Sequence, residues 1–552
     1  MSAAARPWLK HYMKEIPAEI NADKYESLIE MFEETFEKYH DLPAFDCMGK
    51  NLKFSEINRD SRNFAAYLQS IGLQPGDRIA IMMPNLLQYP IALFGALRAG
   101  LIVVNTNPMY TPREMKHQFR DSGATAIVIV ENFAEKLQEI LPETQIKHII
   151  VASIGEMLSF PKSLIVNFVV RHVKKMVPDF NLKHVTFKAA LAKGSNQSYR
   201  PHNGQSNDTI LLQYTGGTTG VSKGAMLTNR NLVANMLQIR SIMAPFLKEG
   251  KEIALAPLPM YHIFAFTVNC LALMGIGTRS ILVTNARDIQ SVLKEIKNYP
   301  ITLIPGINTL FNAMLNHPEF EKLDFSHLKI TVGGGMAVQP AVAERWRKVT
   351  GCYLTEGYGL TETSPVAVVN PFDGSGMLGC IGLPVPSTDV RIVDDNYQVL
   401  DYNQTGEIQI HGPQVMKGYF HNEAATADII KDGWLCTGDI GFMDPEGFIK
   451  IVDRKKDMIL VSGFNVYPNE IEEVVAMLPK VFESAAVGVK DDKSGEVVKL
   501  FVVKKDPSLT EEELIAHCKA NLTAYKVPKH IEFRDELPKT NVGKILRRML
   551  KE

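Results

Sequence analysis

Short apolar runs, separated by turn residues and lacking strict alternation, dominate the first 350 residues or so. RIAIMMPN, LLQYPIALFGALRAG and LIVVNTN read as strand, helix, strand, and ATAIVIVEN and IKHIIVAS supply further strands. Such runs suit parallel strands covered on both faces by helices. ITLIPG, LKITVGGG and CYLTEGYG continue the pattern. After about Gly376 the texture changes to segments such as DVRIVDDNYQ, GEIQIHG and GFIKIVDR, which fit a meander or a small distorted barrel better than more βαβ units. Beyond Asp457 a helix (PNEIEEVVAML), strands (SAAVGV, VVKLFVVKK), a second helix (EEELIAHCKANL) and a basic end predict a small α+β domain. The charged DRKKDM between the two textures marks the joint. The predicted units are residues 1–455, an α/β body of βα subdomains with a small β-barrel-like part, and residues 456–552, a small mobile α+β domain.

Two segments stand outside this pattern. No Asp, Glu, Lys or Arg occurs between Ile253 and Thr278, a span long enough to cross a bilayer. Pro257 and Pro259 would break a helix near its start, so a buried strand, a turn and a buried helix are expected instead. From Phe160 to Val177 the chain is apolar with Lys162, Arg171, Lys174 and Lys175 and no acid. The favoured reading is a surface helix with its apolar face docked on its own domain. Contact with an anionic bilayer is the alternative.

Composition narrows the class. With 552 residues, 45% of them hydrophobic, the chain has material for about three or four packed units. Sixty basic residues against 61 acidic argue against a nucleic-acid coat. The six cysteines are scattered without a C-x-x-C pair, and MSAAARPWLKHYMKEIPAEI has no apolar signal core. A cytoplasmic enzyme is the expectation, with peripheral contact at the inner face of the cell membrane as an addition.

Candidate chemistry lies in turns that follow strands. Thr215, Gly216, Gly217, Thr218, Thr219, Gly220 and Lys223 form a glycine- and hydroxyl-rich loop after ILLQ, suited to cradling phosphate. It is not a Walker A loop, because Gly224 rather than Ser or Thr follows the lysine. In TEGYGLTET, Tyr358 offers a flat ring to a base, Thr361 a phosphate contact, and Glu362 a carboxylate for Mg²⁺. Gly333, Gly334 and Gly335 allow a nucleotide to approach closely. Asp439 and Arg454 reach for ribose hydroxyls or act as a structural ion pair. Lys544, in LPKTNVGKILRR, is by itself a solvated basic side chain at a helix start.

In order along the chain, the phosphate loop, LPMYHIFAF, GGG, GYGLTE, GDIG, DRKKDMI and the terminal GK together resemble the acyl-adenylate-forming superfamily. The resemblance covers nearly the whole sequence. DGWLCTGDIGFMDPEGFIKIVDRKKDMILVSGFNVYPNEIE is similar to the fatty-acyl-CoA synthetase signature of bacterial long-chain members. It implies an ATP-dependent ligase that makes acyl-AMP and pyrophosphate, then transfers the acyl group to CoA, with Mg²⁺ as the metal. Lys544 would bridge the carboxylate and the α-phosphate, Thr361 and the phosphate loop would orient phosphates, and Tyr358 would stack on adenine. Lys456 matches the hinge, and Ser462, Gly463 and Phe464 the face used in thioester formation. His262 would act at the substrate carboxylate, and Phe264 and Phe266 would line the acyl pocket. Phe266 stands where some long-chain members carry a gating tryptophan. Family members are often dimeric, so a homodimer belongs to the expectation. An amino-acid adenylating domain is disfavoured, because no acid near Ile253–Thr278 would meet a substrate ammonium. A fatty-acyl-AMP ligase serving a carrier protein, a medium-chain synthetase and a non-catalytic nucleotide-binding regulator are the rivals.

Overall fold

The computed structural model describes residues 6–215, 221–491, 494–540, 543 and 545–551. Two large sheets form the body. In one, the strands run in the order 418–419, 223–228, 209–215, 102–105, 78–82, 126–130, 148–152 and 185–186. In the other, the order is 383–384, 366–369, 354–359, 330–333, 303–306, 253–256, 279–282, 43–47 and 50–53. The inner strands of both are parallel, as the unbroken apolar runs predict. Helix Gln88–Arg98 is buried throughout, which explains why its sequence reads apolar on all sides.

Antiparallel strands appear beside two of the candidate motifs. Thr209–Thr215 pairs antiparallel with Lys223–Thr228, setting Thr215 opposite Lys223. Leu354–Gly359 turns back onto Val366–Val369 in the same way. A Cβ at Gly359 would fall 1.8 Å from the Pro365 carbonyl oxygen, so only glycine fits that return.

Helix Asn229–Met243 ties these strand pairs together. Thr228 caps it, and the Asn231 side chain accepts in return from the Thr228 N–H. The Asn231 amide also donates to the carbonyls of Pro413 and Val415, at 2.9 and 2.8 Å. Asn235 brackets Val366, accepting from its N–H and donating to its carbonyl. One buried helix thereby fixes both the turn after Gly359 and the approach to Tyr419.

The charge-free segment forms strand Ile253–Ala256, then buried helical turns from Ile263 to Ile276. Among the described residues, no helix is long and apolar enough to cross a membrane. A third sheet follows, with strands Asp389–Val393, Gly406–His411, Trp434–Met443, Ile430–Lys431 and Ile449–Arg454. The last sheet holds Ile459–Val461, Phe464–Val466, Val481–Asp491, Gly495–Lys504 and His530–Arg534. Helices Pro468–Ala476 and Glu511–Asn521 cover it around a core of its own. A large α/β part and a small α+β part are thus both present.

The segment from Phe160 departs from its favoured reading. Helix Lys162–Phe168, continued by a wider turn over Val169–Val173, docks through Asn167 and Arg171. Its large apolar side chains face outward.

Candidate active site

Three predicted residues meet at the edge where the second sheet touches the third. The Tyr358 hydroxyl donates to Asp439 Oδ2 at 2.6 Å, and Arg454 Nε lies 3.2 Å from Asp439 Oδ1. Asp439 and Arg454 are cross-strand partners on Trp434–Met443 and Ile449–Arg454, so the pairing register itself sets the contact. Asp439 is buried, and burial next to its carboxylate pushes the Tyr358 hydroxyl far above its ordinary value. The ion-pair reading of Asp439 and Arg454 therefore holds, and the pair also anchors the aromatic ring.

The second group gathers around a residue that sequence reading passed over, Tyr419. Its hydroxyl donates to Glu362 Oε1 at 2.6 Å, and Lys223 Nζ lies 5.0 Å from its ring centroid. Tyr419 thus links Lys223 to Glu362. The Met416 N–H donates to the Glu362 carbonyl at 2.8 Å, and Thr267 Oγ1 donates to the Ser364 carbonyl at 2.7 Å. These bonds hold the Thr361–Thr363 turn from two sides. Gly216, Gly217, Thr218, Thr219 and Gly220 lie outside the described residues.

The glycines and aromatics have definite places. Gly334 follows strand Ile330–Gly333, and a Cβ there would come within 3.0 Å of the Phe264 ring. Its first use is to let Phe264 pack on the strand end. Phe264 belongs to an apolar cluster with Val268, Val332 and Val369, whereas Phe266 is fully buried in the main core with Ile263 and Cys270. His262 precedes the short helix Ile263–Ala265, its Nδ1 accepting from the Phe264 N–H at 3.4 Å. Glu356, also unforeseen, is buried two residues before Tyr358 and accepts from the Val338 N–H. Burial pushes its carboxyl up to about 8, so it is mostly protonated at neutral pH.

The joint and the tail complete the constellation. Lys456 is half-buried and held below the ordinary lysine value by burial and by Arg454, while Asp457, Asp439 and Glu362 oppose that shift. Ser462 and Gly463, both with positive φ, form the two-residue turn between Val461 and Phe464. Phe464 is exposed and stacks on Tyr525 at 4.8 Å. Lys544 lies outside the described residues. Its neighbour Gly543 sits against the large part, where a Cβ would be 2.7 Å from Ile307 Cδ1 and 2.9 Å from Thr309 Oγ1.

Arg547 is the third residue that sequence reading missed. It donates to Asn469 Oδ1 at 2.8 Å and Glu472 Oε2 at 2.7 Å, and lies 3.5 Å from Asp457. Asp453, fully buried at the end of the third sheet, accepts from the Asn469 N–H at 2.8 Å. Burial raises the Asp453 carboxyl to about 6 even though Arg547 pulls it down. The tail is thereby pinned to the joint by one guanidinium among carboxylates.

Two linked groups thus stand out: Tyr358 on the buried Asp439–Arg454 pair, and Glu362 joined through Tyr419 to Lys223. The chain belongs to the AMP-binding enzyme family, which matches residues 32–420, with the AMP-binding enzyme C-terminal domain matching residues 470–544. It is 58% identical to the long-chain-fatty-acid–CoA ligase of Yersinia pestis, over 99% of this chain and 97% of that protein. It is 39% identical to the long-chain-fatty-acid–CoA ligase of Bacillus subtilis (strain 168), over 99% of this chain and 98% of that one. Among solved structures, ATP-bound MatB from Rhodopseudomonas palustris is similar with a TM-score of 0.81 at 25% identity, covering 96% of this chain and 98% of that one. The anthranilate CoA ligase AuaEII, in complex with anthranoyl-AMP, has a TM-score of 0.85 at 22% identity, with coverages of 96% and 98%.

Proposed function

We propose that this chain is a long-chain-fatty-acid–CoA ligase. The acid's carboxylate attacks the α-phosphate of ATP, pyrophosphate leaves, and the CoA thiol then displaces AMP from the acyl carbonyl. The observation that carries this reading is the 58% identity, from end to end, with a ligase of that name. Tyr358 would present its ring to adenine, with Asp439 and Arg454 holding ribose hydroxyls. Thr361, Thr215, Lys223 and the loop residues 216–220 would orient phosphates, and Gly333–Gly335 would border the nucleotide.

Mg²⁺ is the metal in this reading, and the donor set fits it. Among the described residues no cluster of three or more His, Cys, Asp or Glu could hold an ion unaided. A lone carboxylate, Glu362, suits a hard cation held mainly by substrate phosphates and water. Bound there, Mg²⁺ would neutralise phosphate charge. Lys544 would offset the repulsion between the carboxylate and the α-phosphate, and His262 would orient the acid.

Residues 1–455 and 456–552 would be the moving bodies, with Lys456 at the hinge and Ser462, Gly463 and Phe464 turning in for the thiol step. Phe264 and Phe266 would border the acyl chain. Burying each methylene is worth about 0.8 kcal/mol, so a sixteen-carbon tail repays an apolar site. The product suits fatty-acid degradation by β-oxidation. Because the substrate partitions into lipid, peripheral contact with the inner face of the cell membrane is part of the proposal, as is a homodimer, to be checked by sedimentation.

ATP- and CoA-dependent AMP release, measured across acids from acetate to arachidate, tests the reading. The highest kcat/KM is expected for long saturated acids. A maximum at octanoate would favour the medium-chain alternative, and activity with an acyl carrier protein but not with CoA would favour the acyl-AMP ligase.

A further inference from the structure

We propose that the outward face of residues 160–176 is the surface by which the protein seats on an anionic lipid bilayer. This deepens the membrane contact in the functional reading by naming its site. Phe160, Leu164, Ile165, Phe168, Val173 and Met176 are each more than half exposed, Phe160 at 81%. No other stretch of comparable length among the described residues gathers as many exposed large apolar side chains. Leu164, Ile165 and Phe168 recur at the spacing of one helix face.

The opposite face does the docking, through small or polar groups. Asn167 Oδ1 accepts from the Gly155 N–H at 2.8 Å, and its amide donates to Ser153 Oγ at 3.2 Å. Arg171 pairs with the buried Glu131, and Asn132 donates to the Met176 carbonyl at 3.0 Å. Val170 is the one buried residue of the two helical turns. A surface helix of a water-facing domain ordinarily points its apolar stripe inward. Here hydrogen bonds and an ion pair hold it the other way out, and a patch of this kind marks an interaction surface.

Charge selects the occupant. With Arg171 paired to Glu131, Lys162, Lys174 and Lys175 are the cations left beside the stripe, and no acid occurs from Ser159 to Pro178. Two copies meeting face to face on this stripe would bring like charges together. A bilayer carrying anionic headgroups instead receives the apolar side chains among its acyl chains and the cations at its surface.

The test is co-sedimentation with vesicles of equal parts phosphatidylcholine and phosphatidylglycerol, at low and high salt. The wild-type chain is expected to sediment with them, less at high salt, and to leave pure phosphatidylcholine vesicles largely bare. A Leu164→Ser/Ile165→Ser/Phe168→Ser variant should lose binding by roughly tenfold or more while still activating octanoate in free solution. Lys174→Gln with Lys175→Gln should weaken binding and flatten its salt dependence. In a separate Phe168→Trp variant, emission should shift to the blue on adding anionic vesicles. Unchanged sedimentation of the triple variant overturns the proposal, as does lipid-free self-association that the serines abolish. If neither protein activates any acid but the serines still abolish vesicle binding, the catalytic reading fails and the surface stands.

Discussion

Replacing Lys544 with alanine is expected to lower acyl-AMP formation by about a thousandfold, the scale on which a single preorganised charge contributes to such chemistry. The first half-reaction joins two anions, a carboxylate and an α-phosphate, and a cation between them is worth most where water is excluded. Attack of the CoA thiol on acyl-AMP joins no such pair, so its rate from supplied acyl-AMP should fall less than about threefold. Pyrophosphate release reports the first step and thioester formation from synthetic acyl-AMP the second. Equal losses in both would contradict the division of labour. Lys456→Pro should give the mirror image, slowing the thiol step while sparing pyrophosphate release, because it stiffens the joint.

Arg547→Ala carries the second large effect. Gly543 rests on Ile307 and Thr309, and four residues on Arg547 clamps the tail to Asn469, Glu472 and Asp457. Without the guanidinium, Glu472 and the buried Asp453 are left without their cation, and the segment carrying Lys544 loses its anchor. A misplacement of about 1 Å can cost roughly a hundredfold, so acyl-AMP formation should fall by roughly that factor, mainly in kcat. Arg547→Lys should recover part of it, since a point charge restores the ion pairs but not the two-pronged fork. Thioester formation from supplied acyl-AMP should stay near the wild-type rate. Its loss to the same degree would mean that Arg547 merely keeps the small part folded.

Legibility in the sequence followed the range of the interactions involved. Apolar runs such as RIAIM and AIVIV announce buried parallel strands because burial on both faces leaves no polar alternation. In GYG only a ring between glycines is legible; the close return at Gly359 depends on the Pro365 carbonyl six residues on. Tyr358, Asp439 and Arg454 are each legible as motif residues, but their mutual contact is not, since it rests on the register between two strands and on a sheet junction. Tyr419 carries no motif at all; its role comes from a two-residue strand paired on Lys223–Thr228, which no periodicity reveals. Arg547 looks like one more basic residue in ILRR, and only the fold surrounds it with carboxylates. The segment from Phe160 misleads for the converse reason. Its amphipathic composition is plain, but which face docks is settled by Asn167 and Arg171 finding partners on the body.

The most direct test of the account is exchange of labelled pyrophosphate into ATP, driven by palmitate with Mg²⁺ and no thiol present. Reversible formation of a mixed anhydride requires that exchange, and it should vanish without the acid and collapse in Lys544→Ala. A folded, ATP-binding protein that catalyses no exchange with palmitate or any other acid would contradict the central claim.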